Sequence, residues 1–365
     1  MTIHSNDYGQ PLEGKTILVT GGTGSMGKTF VRRALSGERG RPRKVIVMSR
    51  DEAKQHDMRV TMLRRWAATD DILYQNFKNI LEFRIGDVRD YADVCAAARQ
   101  ADIIIHAAAL KQVPSCEYFP AQAVMTNCLG ASNVVRAIEE NELPVTTVVG
   151  ISTDKACKPV NVMGMSKALQ ERIFAAANIL NPQTRFVSVR YGNVLASRGS
   201  VIPLFHEQIR SGGPVTITVP EMTRFVLSLD QAVDTIFAAL RDARPGEVFV
   251  PDAASTSVAN LAKALIGDRD IAIHVTGIRP GEKMHEIMVS DEEALHTVRR
   301  GAYYAIRPML PELTPPGPAD EAALTGELSS ANNVLDLERT VALLRHFDVL
   351  LPDGNQHRET ADLLR

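Results

Sequence analysis

The chain has 365 residues, 45% of them hydrophobic, and a formal net charge of −2, which allows one large domain or two smaller ones around an ample core. The balanced charge leaves no basic field for a nucleic-acid backbone, and the few aromatic residues leave no stacking platform for single strands. No apolar run reaches bilayer length and the N-terminus carries no signal-peptide core, so the expectation is a soluble cytoplasmic protein with neither nucleic acid nor membrane as partner.

Residues 1–14 are polar and read as a lead-in. Strands and helices then alternate. A strand is expected at 15–20, a helix at 25–35, a strand at 44–48 and a charged amphipathic helix at 52–66. Further strands fall at 83–85, 103–106 and 147–151, with helical stretches at 90–99 and 120–139. Near-continuous β-branched runs between helices predict a doubly wound, parallel α/β sheet over residues 15–190. Residues 191–225 are rich in Gly, Pro and Ser, and a helix at 229–242, a strand at 247–250 and a helix at 257–267 follow. These predict a smaller substrate-binding lobe over 191–310, interleaved with returning strands. The proline-rich stretch 308–320 is an extended segment, and 311–365 a C-terminal extension with a last helix at 335–346. Cys95, Cys116, Cys128 and Cys157 show neither metal-ligand nor Cys-x-x-Cys spacing, so they read as reduced thiols and no metal site is expected.

The first strand runs into Thr20-Gly21-Gly22-Thr23-Gly24-Ser25-Met26-Gly27, which opens a helix. Glycines at 21, 24 and 27 let backbone approach a pyrophosphate, and the helix N-terminus supplies N–H donors and positive dipole. Thr23, Ser25 and Met26 belong to the same cradle. The context is that of a Rossmann dinucleotide site. The second strand ends in Ser49-Arg50-Asp51 rather than in an acid. Ser49 and Arg50 suit a ribose 2′-phosphate, which favours NADP; Asp51, one step late, keeps NAD as the lesser alternative. Asp87 and Val88 follow the third strand, where an acid can hold adenine. Ala107 and Ala108 end the fourth strand with small side chains past which a cofactor can run, and Lys111 follows them.

Taken together, residues 20–27, 49–52, 107–114, 152–155, 190–200 and 277–286 resemble the extended short-chain dehydrogenase/reductases. More narrowly, they resemble the nucleotide-sugar 4,6-dehydratases of polysaccharide biosynthesis, of the inverting UDP-N-acetylglucosamine type. In that superfamily a Tyr-x-x-x-Lys pair sits on one helix. Here Lys167 is in place but Met163 fills the tyrosine slot, and a thioether cannot move a proton. Some capsule-type and retaining members carry methionine there too, so Met163 reads as packing against nicotinamide or sugar.

The resemblance implies a three-stage reaction. Hydride leaves sugar C4 for the nicotinamide, loss of the C5 proton then expels the C6 hydroxyl, and the hydride returns to C6 as C5 is reprotonated. It assigns Asp154 as the acid for the C6 hydroxyl, Lys155 as the C5 base, Thr153 as a hydrogen-bond partner of the C4 oxygen, and Lys167 as the holder of the nicotinamide ribose. A lysine serves as base only where burial or a nearby cation lowers its pKa. The UDP-sugar would meet Lys111, Met163, Asn193 and Arg198, with Arg279 on the diphosphate and Glu282 on the uridine ribose. Family members associate through helices beside the sheet, so a homo-oligomer built on helices 120–139 and 161–179 is expected. Two other readings stay open: a nucleotide-sugar epimerase, which returns hydride to C4, and a non-catalytic NADP-binding sensor.

Overall fold

The structure is a computed structural model that describes residues 9–69, 71–195, 200–314 and 321–351. Six strands follow the predicted alternation: β1 (Thr16–Thr20), β2 (Lys44–Ser49), β3 (Leu81–Ile85), β4 (Ile103–His106), β5 (Thr147–Thr153) and β6 (Arg185–Tyr191). Their spatial order is β3-β2-β1-β4-β5-β6, all parallel. This order reverses between β1 and β4, and in open α/β sheets ligands bind outside the strand carboxyl ends at such a switch point.

Successive side chains of a strand face opposite ways, so a strand covered on both sides must be apolar throughout. In β1, Ile17 and Val19 join a core with Val45, Val47 and Ile105 beneath Phe30 and Val31 of α1 (Ser25–Ser36) and Phe237. Leu18 points the other way, into a second core with Ile46, Ile104, Val148 and Phe186 against Val134, Ile138 and Phe174. Burial of these side chains, about 1.5–3 kcal/mol for each large aliphatic or aromatic group, holds the helices on the sheet.

The sheet does not stop at β6. Val248–Pro251 adds a parallel strand beside it, and Tyr303–Ile306 and Thr297–Arg300 extend that edge antiparallel. The stretch 191–310 therefore gives three strands to the main sheet. It also builds the smaller lobe, whose sheet runs Val334–Leu335, Ala254–Ser257, Thr223–Leu227, Asn193–Val194. Phe205, Leu261, Leu265 and Leu344 fill the lobe's core. Leu344 lies on the helix Leu337–His346, so residues beyond 311 return to complete that core.

Three differences from the periodicity have physical causes. The predicted helix 52–66 runs on as Glu52–Thr69, and a second helix, Asp71–Ile80, leads into β3. Val201–Arg210 is a helix inside a stretch whose Gly and Pro content masked its pattern. The predicted helix 120–139 is interrupted: Pro120–Ala123 passes through a π-helical turn, Val124–Leu129, into Gly130–Glu140. Asn127, wholly buried in that turn, clamps the loop after β4, accepting from Leu110 N at 2.8 Å and donating to Leu110 O at 3.0 Å. A π turn marks a helix bent for a local task. Among the described residues no helix is long and apolar enough to cross a membrane, and no cluster of His, Cys, Asp and Glu is placed to hold a metal ion.

Candidate functional site

The cradle after β1 is shaped by backbone that tolerates no side chain. Gly21 has φ +65°, and a Cβ there would lie 2.7 Å from the Ala108 backbone. A Cβ on Gly27 would lie 2.6 Å from Gly22 Cα. Gly24 differs: the nearest atom to its Cβ position is Gly21 O at 3.4 Å, so the space over it is open toward a ligand. Gly24 is also the N-cap of α1, with no side-chain cap and no acid in the first turn. The N–H groups of α1 thus face an approaching anion uncapped, and the residues fit a dinucleotide pyrophosphate. Ala107 and Ala108, half-buried, wall this cradle.

At the end of β2 the Ser49 hydroxyl lies 3.0 Å from the Thr23 hydroxyl. Asp51 is committed elsewhere. Its carboxylate accepts from Lys54 N at 3.0 Å and pairs with Lys54 Nζ at 2.6 Å, capping the helix Glu52–Thr69. Those Lys54 contacts hold its pKa below the ordinary range. The Arg50 side chain is 55% exposed, with Nη1 3.8 Å from Asp87 Oδ2. Asp87 is gripped chiefly by Arg89, at 2.6 and 2.9 Å. Partial burial pushes its carboxyl up, but the Arg89 contacts outweigh that and leave it lowered. Val88 is buried in the core beneath.

The end of β5 carries the densest polar chemistry. Thr153 ends the strand, and Asp154–Ala156 forms one 3₁₀ turn. Asp154 is completely buried, and its pKa is raised by that burial against the pull of Lys155. Its Oδ1 accepts from the Thr153 hydroxyl at 3.0 Å and from Lys155 Nζ at 3.0 Å. Its Oδ2 is buried without a protein partner. The Lys155 side chain is 23% exposed and Thr153 is partly buried, so both reach the surface that Asp154 does not. The turn is fixed from below: a Cβ on Gly164, in the helix Val162–Leu180, would lie 2.2 Å from Lys155 O.

A base lysine requires a lowered pKa, yet Lys155 is raised. Burial alone lowers it, but Asp154 at 3.0 Å and Glu286 at 2.9 Å more than reverse that. Burial instead lowers Lys167, on the helix Val162–Leu180, to about 8 against the opposing pull of Glu171, and it also lowers Lys283. Lys167 Nζ donates to Ile151 O and to Gln170 Oε1, each at 2.8 Å, which leaves a third N–H for a ligand. Met163 is buried in a small apolar cluster with Cys116 and Ala123.

The expected sugar-nucleotide residues are more scattered. Asn193 follows β6 and pairs with Val226 in the small sheet, its Oδ1 buried without a protein partner. Glu282 has a buried oxygen in the same condition, next to the turn in which Glu282 N donates to Arg279 O. Arg279 and Lys111 are exposed at the rim. Arg198 lies outside the described residues.

Sequence reading missed Glu286, Arg224 and the buried triad Arg190, Glu171 and Glu293. Glu286 is 2% exposed and binds Lys155, and Arg224 Nε stands 3.9 Å from the same Glu286 oxygen. Arg190, opposite Ser152 in the β5–β6 register, forks onto Glu171 at 2.6 Å and onto Glu293 at 2.7 Å. Only the chemistry of Arg190, a charge within an apolar strand, hinted at a partner.

Residues 17–308 match the family model described as polysaccharide biosynthesis protein. The chain is 45% identical over 298 residues to a UDP-glucose 4-epimerase of Rickettsia prowazekii, covering 80% of this chain and 82% of the relative. It is 42% identical over 300 residues to an inverting UDP-N-acetylglucosamine 4,6-dehydratase of Campylobacter jejuni, covering 81% and 84%. In structure it is similar to Pen from Bacillus thuringiensis, with a TM-score of 0.81 at 32% identity over 93% of this chain and 99% of that one. With its 3-2-1-4-5-6 sheet, glycine cradle and polar β5 turn, the chain belongs to the polysaccharide-biosynthesis family of extended short-chain dehydrogenase/reductases, enzymes that modify nucleotide sugars as dehydratases or epimerases.

Proposed function

We propose that the protein is an NADP-dependent UDP-N-acetylglucosamine 4,6-dehydratase that inverts C5. The observation that carries this reading is the Thr153–Asp154–Lys155 turn, with a completely buried carboxylate hydrogen-bonded to a hydroxyl and an ammonium. A bound nicotinamide would supply the hydride acceptor and donor. The chain's own groups then move the protons. The C4 hydroxyl proton passes through the Thr153 hydroxyl to Asp154, which takes over the task left by the missing tyrosine. Asp154, now protonated, returns that proton toward the departing C6 hydroxyl, and Lys155 handles C5. A carboxyl whose pKa is raised by burial suits this step, since it takes up the C4 proton readily and holds it until the leaving group needs it. Met163 packs the wall and Lys167 offers its third N–H to the nicotinamide ribose.

The epimerase reading has the Rickettsia relative on its side. It needs no acid at C6 and no base at C5. Incubating the protein with UDP-N-acetylglucosamine and NADP in deuterated water and following the sugar by NMR separates the two. A 6-deoxy-4-keto product with deuterium at C5 supports dehydration, and its coupling constants report inversion. A C4 epimer with no deuterium at C5 overturns the proposal.

Cofactor preference makes a second test. Asp51 caps its helix, which supports a reading in which Ser49 and Arg50 are the groups for a ribose 2′-phosphate. Arg50→Ala should weaken NADP binding by about 1.5–3 kcal/mol, the worth of a charge-assisted contact, and leave NAD binding nearly unchanged. Equal losses for the two cofactors in fluorescence titration would remove Arg50 from the 2′-phosphate.

Self-association is the proposed assembly. Met165 and Leu169, one helical turn apart on Val162–Leu180, are each half exposed, as are Val124 and Met125 on the neighbouring helix. Such an apolar strip on adjacent helices suits an isologous contact. Leu169→Glu should shift the mass in light scattering toward the monomer at micromolar protein; an unchanged mass would place the contact elsewhere.

A further inference from the structure

We propose that Glu286 is the proton acceptor that frees Lys155 to act as a base, making the second lobe a working part of the proton chemistry on β5. This rests on the dehydratase reading above. Lys155 Nζ lies between two carboxylates, 3.0 Å from Asp154 Oδ1 and 2.9 Å from Glu286 Oε1. A lysine held between carboxylates stays charged, and a charged lysine cannot remove the C5 proton. The proton must first leave Nζ. Asp154 is the wrong destination, because in this scheme it already carries the C4 hydroxyl proton for the leaving group. Glu286 is the remaining one.

Its setting fits that task. Glu286 is buried, and its second oxygen, Oε2, has no protein partner. Its backbone is held on both sides by one residue: Glu286 N donates to Ser330 Oγ at 2.9 Å, and Ser330 N donates to Glu286 O at 2.8 Å. The carboxylate is therefore aimed at Lys155 by the lobe rather than by its own loop. At rest the ion pair is favoured, Lys155 being raised and Glu286 lowered, but once Asp154 has taken up the C4 proton its charge no longer holds Lys155, and the amine–carboxylic acid pair comes closer in energy. Transfer then runs over the 2.9 Å ion-pair contact.

The proton balance closes. An N–H bond of Lys155 breaks, its electron pair stays on nitrogen, and an O–H bond forms on Glu286. The neutral amine takes the C5 proton while Asp154 gives its proton to the departing C6 hydroxyl, which leaves as water. After hydride reaches C6, the Lys155 ammonium reprotonates C5, and Glu286 returns its proton to the amine. The charged groups facing Lys155 are Asp154, Glu286, Arg224 and, more weakly through Glu286, Lys283. Arg224, at 3.9 Å from Glu286 Oε1, favours the ionised Glu286 and so returns the pair to its resting state.

The test uses the full chain with NADP and UDP-N-acetylglucosamine. Glu286→Gln keeps the shape and an oxygen for Lys155 but cannot take a proton. C5 deuterium exchange should fall about 10²-fold, the usual cost of a lost acid–base partner. UDP-sugar binding should change less than twofold, and nicotinamide reduction at C4 should persist. The residual exchange should climb with pH as Lys155 loses its proton to solvent instead, and Glu286→Asp should recover part of the rate. Exchange at the wild-type rate in Glu286→Gln, or an equal fall in C4 oxidation, C5 exchange and binding, would overturn the proposal. If Glu286→Gln fails to fold, Glu286→Asp decides: exchange with the steep pH dependence of an unassisted lysine overturns the relay as placed, whereas a flattened profile supports it. Wild-type protein that epimerises C4 without C5 exchange would instead remove the dehydratase reading, which separates the two failures.

Discussion

Asp154→Asn should abolish product and C5 exchange together. The substitution keeps the shape and removes the titrating group, so each step that moves a proton through Asp154 stops. Loss of one acid–base group costs about 10²–10⁴-fold, and a group serving two steps belongs at the upper end. The fold should not suffer. Asp154 has a raised pKa in the folded protein, so it favours folding below its unfolded pKa, and that contribution is lost as pH rises through the folded value. At neutral pH its burial is a cost, and Lys155 retains Glu286 when Asp154 is neutralised. The expected result is an inactive protein with an unchanged or higher melting temperature. C5 exchange near the wild-type rate would confine Asp154 to the C6 step. By contrast, Met163→Ala opens space among Cys116 and Ala123 and should cost mainly stability, because no proton passes there.

The second large effect concerns stability. Arg190 is among the largest fully buried side chains and binds two carboxylates from elements far apart in the chain. Arg190→Met preserves volume but strands Glu171 and Glu293 in the interior. Breaking a buried ionic network by removing one partner costs about 3–5 kcal/mol. The pH dependence has a definite sign. Burial raises the Glu293 carboxyl, and Arg190 more than offsets this, leaving it lowered. In the wild type Glu293 therefore stabilises above its unfolded pKa, and that contribution is lost as pH falls through the folded value. In Arg190→Met the same carboxyl lacks its cation and is relieved by protonation. The gap between the two melting curves should thus be widest near neutral pH and should narrow on acidification. A gap independent of pH would mean that packing, not charge, is what Arg190 supplies. Ser152, which donates to Glu171, ties this network to the strand that carries Thr153 and Asp154, so activity should fall along with stability.

The sheet and the glycine turn after β1 are legible in the chain alone, because both are written in local pattern. The β-branched runs of β1 through β6 can only be buried on both faces, and the spacing of Gly21, Gly24 and Gly27 serves a single turn whose contacts all lie near the carboxyl ends of β1 and β4. The turn at residues 153–155 was legible for the same reason, as a polar break after an apolar strand. The rest depends on contacts between residues far apart in the chain. Lys155 reads locally as a base, and the Glu286 carboxylate, delivered from the other lobe, turns it into a held ammonium. That Asp51, the lesser candidate for a ribose acid, caps the helix after it is visible only in the structure. The π turn at Val124–Leu129 answers to the loop that Asn127 clamps, not to the periodicity of its own helix. A side chain's charge state depends on burial and on what lies within a few ångströms, and neither is a property of neighbouring letters.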